Sequence, residues 1–231
     1  MKTSKIIFIS LLGAIALLIL ATTIDIRIRG RRNSDIQKDF KVIRKGLPFF
    51  KVIYMNNSMN AALVQNDSSF IEVTYQKDSI APKVNYTVKN DTLKISDFEK
   101  LVHRNVSIRI HSTDSLKSIL MKNSEISVDR LGKGYLTFNM DHSTIWLNQD
   151  TTVKKAIQAL DFVARNHSQI NSSEFRIDSL RLVLHNSEAD LEIIAKKISG
   201  TLSDSSKIDV RQPQEISLKK DGTSKINVND Y

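Results

Sequence analysis

Polar and apolar positions alternate with period two through the C-terminal half, and the alternation restarts at a nearly fixed interval. Six serines mark the restarts: Ser124, Ser143, Ser168, Ser187, Ser206 and Ser224. One gap, from Ser143 to Ser168, is longer than the others. Two residues after each serine comes Ile126, Ile145, Ile170, Ala189, Ile208 or Ile226. Four after comes Val128, Leu147, Ser172, Leu191, Val210 or Val228. The residues between are mostly polar, as in Glu188 and Asp190 or Lys207 and Asp209. Before the serines the alternation has the opposite phase, in Ile119 and Met121, Phe138 and Met140, Leu182 and Leu184. A chain that turns a corner at each serine brings both apolar sets to one interior. A period of about 19 residues is that of a stacked β-coil.

The expected fold is therefore all-β, a right-handed parallel β-helix of ~19-residue coils stacked at the ~4.8 Å strand spacing. About nine or ten coils fit residues 47–231 at this period. The longer gap marks an insertion near Asn148–Lys155, expected as a loop. In the coil around Ser168, Arg165 interrupts the inward sequence and has no explanation in the pattern.

Upstream, strands are expected where Phe50, Val52 and Tyr54 alternate, then Ala62 and Val64. Others follow where Phe70, Glu72 and Thr74 oppose Ile71, Val73 and Tyr75, at Val84–Val88, at Thr92–Ser96 and at Val106–Ile110. Turn residues such as Asn56-Asn57 and Asn66-Asp67-Ser68 separate them.

The first residues read differently. Residues 1–5 form a short basic start, and Ile6–Ile24 carries no charge. As a helix that run reaches about 28 Å, close to the ~30 Å hydrocarbon thickness. A transmembrane anchor and a cleaved signal peptide both fit. The anchor is favoured because Ala21-Thr22-Thr23 is a poor cleavage site. Residues 25–46 read as a basic juxtamembrane linker or short helix. Lys2 and Lys5 favour a cytoplasmic N-terminus, whereas Arg27, Arg29, Arg31 and Arg32 oppose it. Export of 47–231 is favoured: a single-pass protein of the bacterial inner membrane, its main domain periplasmic.

Charge and composition narrow the function classes. The net charge of +9 is concentrated in residues 1–46, whose ten Lys/Arg and three Asp give +7. The rest of the chain carries 24 basic and 22 acidic groups, so no clustered phosphate-binding face is implied and nucleic acid is not an expected partner. The chain has no cysteine, which excludes disulfides, zinc–thiolate sites and cysteine nucleophiles. No Gly-rich phosphate loop, Gly-x-Ser-x-Gly elbow or His-Glu-x-x-His pair occurs. No cofactor is implied.

Three constellations remain. Asn123, His142, His167, Asn186, Ser205 and Thr223 each precede a repeat serine, so they form a ladder of turn residues. His142 and His167 become neighbours in it and are candidate metal ligands without a clear third partner. Asp190 and Asp209 fall on the outer face of adjacent coils and are candidate catalytic carboxylates; the alternative is a soluble sheet face on which Glu188 pairs with Lys207. Trp146, the only tryptophan, falls at an outward position. It is a candidate ligand-binding aromatic, or else packs beneath the inserted loop.

The order of these features resembles the auto-transporter adhesin, head-GIN domain family of bacterial envelope proteins. The segments that carry the likeness are Phe50–Tyr54, Phe70–Tyr75, Val88–Ile95, Val106–Ile110 and the coils ending at Ser224–Val228. The resemblance implies an exported β-helix with no established activity. The corners here use Asn-Ser and His-Ser where such domains often use glycine. Three functions are open: a non-enzymatic, membrane-anchored scaffold or adhesin-like binder of a glycan or envelope protein; a polysaccharide-active enzyme using Asp190 and Asp209; and a sensory input domain. The first is expected.

Overall fold

The computed structural model of the chain describes residues 15, 17–20, 22–23, 39–59, 61–97, 106–132, 134–148, 157–211 and 213–229. They divide into two compact units, Met1–Lys41 with Gln76–Ser79, and Val42–Tyr75 with Ile80–Tyr231. In the first, residues 15, 17–20 and 22–23 are helical. Thr22 Oγ1 donates to the carbonyl of Ile19 and Thr23 Oγ1 to that of Leu20, both at 2.9 Å. No helix among the described residues is long and apolar enough to cross a membrane. Most of the expected 6–24 span, residues 1–5 and residues 25–38 lie outside the described residues.

Everything else that is regular among the described residues is β-structure. Before the serine repeats come β1 (Phe40–Gly46), β2 (Val52–Asn56), β3 (Ala61–Gln65), β4 (Phe70–Gln76), β5 (Tyr86–Lys89), β6 (Thr92–Ser96) and β7 (Ser107–Ser112). The repeats hold β8 (Ser118–Lys122), β9 (Glu125–Arg130), β10 (Tyr135–Asp141), β11 (Thr144–Leu147), β12 (Ile157–Arg165), β13 (Gln169–His185), β14 (Glu188–Ser203), β15 (Lys207–Arg211), β16 (Glu215–Lys220) and β17 (Lys225–Asn229). The end of the expected 25–46 linker is thus a strand, and Phe40, Val42 and Ile43 are the β-favouring residues in it.

The sheet is mixed. From β8 onward each strand–corner–strand level pairs in parallel with the one before it: β10 on β8, β12 on β10, β13 on β12, β14 on β13 and β16 on β14. On the other side of the corner β11 lies on β9, then β13, β14, β15 and β17 follow. β13 and β14 serve two successive levels each because they run on past the corner between faces.

The N-terminal strands break the simple order. β2 pairs with both β6 and β8, and β3 with both β7 and β9, all in parallel. The β2–β3 level is therefore sandwiched between a later level and the first repeat. β4 on β7 and β5 on β6 are antiparallel. These two pairs add no level, so eight levels stand among the described residues where nine or ten were expected.

The core lies where the alternation put it. Ala61, Ile126, Ile145, Ile170, Ala189, Ile208 and Ile226 form one register column. All but the last are at most 3% exposed, and Ile226 packs on the core partly buried at the final level. Across the corner, Ile53, Ile119, Phe138, Phe162 and Leu182 form another column. Phe138 and Phe162 stack with centroids 4.6 Å apart and planes at 5°.

In β2 and β3 the buried phase is the other one. Ile53, Met55, Ala61 and Leu63 are buried, and Val52, Tyr54, Ala62 and Val64 are half-exposed. Both phases are apolar here, so alternation alone does not choose; the registers against Ile119 and Ile126 do.

Each corner is closed by its serine. Ser58, Ser124, Ser143, Ser168, Ser187, Ser206 and Ser224 are all buried, at most 2% exposed. The hydroxyl donates backward to a carbonyl of its own corner, as Ser124 to Lys122 (2.7 Å), Ser143 to Asp141 (2.8 Å) and Ser187 to His185 (2.8 Å). It also accepts from the serine amide of the adjoining level: Ser58 N to Ser124 Oγ, Ser124 N to Ser143 Oγ, Ser187 N to Ser206 Oγ and Ser206 N to Ser224 Oγ, each 3.2 Å. A buried polar backbone must be satisfied, and one hydroxyl per level gives the adjoining level's buried amide its acceptor while donating to a carbonyl of its own corner.

The residue before the serine takes the left-handed conformation without glycine. Asn57, Asn123, His142 and Asn186 have φ of 47°, 45°, 48° and 45°; Asn and His are among the side chains that tolerate it. Two corners are longer. At Asn166–His167 and Asp204–Ser205 both residues are left-handed, and the serine hydroxyl reaches back three residues, to Arg165 O and Ser203 O, each 2.6 Å. This accounts for Arg165. The extra turn residue shifts the frame, Ala164 is the buried residue, and Arg165 is exposed in register with Asp141 and His185.

Candidate functional site

Because every corner ends on the same serine, the strands after it leave in one register. Their outward side chains form rows running across the levels. The residue three after the serine gives Ser127, Trp146, Asn171, Asp190, Asp209 and Asn227 as direct neighbours. The same row continues beyond Ser127 to Ala62, Arg109 and Glu72.

Trp146 stands within this row, 45% exposed. Its indole Nε1–H donates to Glu125 Oε1 at 3.1 Å, which fixes one edge of the ring. Asn148, two residues on and on the same face, donates from Nδ2 to Ser127 Oγ at 2.9 Å. The inserted segment beyond Asn148, where packing over Trp146 was the alternative, lies outside the described residues.

Asp190 and Asp209 are register neighbours, as the spacing indicates. Their partners differ. Asp190 is exposed. Asp209 is half-buried, 2.5 Å from Lys207 Nζ, and accepts from Asn227 Nδ2 at 2.6 Å. Partial burial pushes its carboxyl up, but the hydrogen bonds from Lys207 and Asn227 and the Lys207 charge outweigh this and hold it below the usual carboxylate range. A carboxylate so tied is a poor proton-sharing partner for Asp190. Lys207 lies beside Glu188 in the register, yet its ammonium bonds along its own strand to Asp209.

His142 and His167 do come together on adjoining corners, with ring centroids 6.2 Å apart and tilted by 34°. His142 Nδ1 lies 3.1 Å from Asp141 Oδ1, which also accepts from Asn166 Nδ2 at 2.7 Å. The Asn166 bond, with His142, holds the Asp141 carboxyl low. His167 Nε2 lies 3.4 Å from Asn186 Nδ2. Among the described residues no group of three His, Cys, Asp or Glu side chains could hold a metal.

A second feature on the same face is not apparent from the sequence. A groove of about 480 Å³ is lined by Val64, Asn66, Arg109, His111, Asp129, Arg130 and Asn148. Its cations and anions are cross-linked. Glu72, only 9% exposed, receives Arg44 Nε at 2.8 Å and lies 3.9 Å from Arg109. Arg109 also lies 3.6 Å from Asp129, whose Oδ1 accepts from Ser127 Oγ at 2.6 Å. His111 stacks on Phe70 at 3.8 Å, and its Nδ1 is 2.9 Å from Asn66 Nδ2. The groove needs β3 between β7 and β9, and β3 is far from both in the chain. The signal for it in the sequence is the charge of Arg109 between the apolar Ile108 and Ile110.

No family model matches the sequence, and no curated protein matches it significantly. Solved structures do. A provisionally named adhesin of Bacteroides fragilis superposes with a TM-score of 0.51 at 15% identity, covering 83% of this chain and 98% of that one. A provisionally named adhesin of Parabacteroides merdae gives 0.50 at 13% identity, covering 83% and 97%. At such identities the likeness is one of fold: this chain shares the all-β architecture of those two proteins across nearly their whole length.

Proposed function

We propose that the chain is a non-enzymatic binding module of the bacterial envelope, anchored by residues 6–24 in the inner membrane, with residues 47–231 in the periplasm. On this reading the parallel ladders wind as a right-handed β-helix of the head-GIN kind. Strand–crossover–strand connections take that hand, and the order of features along the chain resembles that family. The ligand is a surface glycan, held on the face of β9, β11, β13, β14 and β15.

One observation carries the reading. Trp146 presents a half-exposed indole, pinned by Glu125, within a register-locked row of short polar side chains. An exposed aromatic flanked by hydroxyl, amide and carboxylate groups suits a sugar ring, whose apolar face stacks while its hydroxyls hydrogen-bond. The two structural neighbours bear the name adhesin, which agrees with a binding role.

Glycan-array binding with Trp146→Ala, Asp190→Ala and Asp209→Ala tests it. The expected result is binding that is lost with Trp146→Ala, survives both aspartate changes and releases no product. Turnover abolished by either aspartate change would instead make the protein an enzyme.

A further inference from the structure

The hydrogen-bond chain around His111 leaves a donor with nothing to bond. Ser68 N donates to Asn66 Oδ1 at 3.2 Å, which sets the orientation of that amide. Asn66 Nδ2 therefore faces His111 Nδ1, 2.9 Å away, and Nδ1 is the acceptor. Burial holds the imidazole pKa below its ordinary value, with the Glu72 charge opposing and the Arg109 and Arg44 charges adding to the effect. The ring is neutral near pH 7, so its proton sits on Nε2. That Nε2–H is buried and has no partner. His111 itself is 9% exposed and lines the groove with Arg109, Arg130, Asn66 and Asn148. A buried donor without an acceptor is a costly arrangement that asks for a ligand atom.

The rest of the lining says what kind of atom. Two guanidinium groups flank the groove, and the one carboxylate in it, Asp129, is already engaged by Ser127 and Arg109. Both ion pairs of Arg109, at 3.6 and 3.9 Å, are longer than a hydrogen bond. Its planar fork suits a carboxylate. The amide of Asn148 suits a hydroxyl, and Trp146 stands two residues away on the same strand face.

We propose that this groove binds the carboxylate of an acidic sugar residue, with Arg109 as the principal cation, and that the oxyanion supplies the acceptor His111 lacks. The proposal rests on the glycan reading of the Trp146 face and specifies its ligand class as a uronate-containing glycan.

The full chain in detergent is titrated with trigalacturonate, with a neutral galactose trimer and with inorganic phosphate, while the His111 ring nitrogens are followed by NMR. Trigalacturonate is expected to bind at least tenfold more tightly than the neutral trimer and to shift the Nε2–H resonance. Arg109→Gln is expected to remove that tenfold preference, and Arg109→Lys to restore part of it. Should Arg109→Gln fail to fold, Asn148→Asp decides, since a carboxylate at the groove is expected to repel the acidic trimer alone.

Equal affinity for both trimers, or phosphate binding as tightly as the sugar, overturns the proposal. Trp146-dependent binding of neutral glycans with no acidic preference removes only this inference. Absence of binding to either trimer and to every glycan of the array removes the reading beneath it as well.

Discussion

The amide of Ser124 donates to the hydroxyl of Ser143, 3.2 Å away and one level on, while that hydroxyl donates to Asp141 O at 2.8 Å. Ser143 thus joins two levels through a single oxygen. Ser143→Ala leaves the buried Ser124 amide without an acceptor, while Asp141 O keeps the Asn123 N–H at 3.0 Å. Loss of about 1–3 kcal/mol is expected, the cost of leaving a buried group unsatisfied. Urea unfolding should show a lower midpoint with unchanged slope.

The Phe138–Phe162 stack fills the interior between the corners, and both rings are at most 1% exposed. Phe138→Ala removes the ring and leaves a cavity that the fixed ladder spacing prevents from collapsing. A loss of about 3–5 kcal/mol is expected, read from the same unfolding curves.

Gly200 has φ of +141°, and a Cβ there would lie within 1.7 Å of Leu182 O. That contact is backbone on backbone across a register pair, so no rotamer relieves it. Gly200→Ala is expected to cost about 3 kcal/mol or more. Gly222→Ala, with nothing within 4 Å of the new Cβ, is the control and should change the melting temperature little.

His111 makes stability depend on pH. Its folded pKa is lowered, first by burial, so between that value and the ordinary 6.5 the unfolded chain binds the proton and the folded chain does not. The stabilising contribution is full above 6.5 and falls as pH drops through that window. The groups facing the ring are Glu72, Arg109 and Arg44. In His111→Gln the fall in melting temperature over this window should be shallower than in the parent.

The repeat region is legible in the sequence because its information is local. Ser187, Ala189 and Leu191 lie within five residues, and alternation needs nothing else to sort them inward and outward. Ser58 closes a corner in the same way but carries no such mark. Its ladder partner, Ser124, lies far along the chain, with β3 to β8 between. The phase of β2 is ambiguous for a related reason. Val52 and Tyr54 are as apolar as Ile53 and Met55, and only pairing with β8 decides which set turns inward. Arg165 breaks the pattern because one extra left-handed residue in its corner shifts the frame, which a fixed spacing cannot reveal.

For the site, the sequence placed Trp146, Asp190 and Asp209 in their row and His142 beside His167. It could not show that Asp209 is tied to Lys207 and Asn227, since a side chain chooses its partner from everything within reach.

By itself, then, the sequence determined the all-β architecture, the period of the repeats, the corners and most of the interior. Those follow from backbone hydrogen bonding and the two-residue pitch of a strand, properties repeated at every level. Tertiary structure decided the insertion of β2 and β3 between later strands, the antiparallel β4 and β5, and the groove that joins Arg109, His111 and Asp129. These depend on contacts between distant segments, whose closure is governed by the packing of the whole chain and leaves no periodic mark along it.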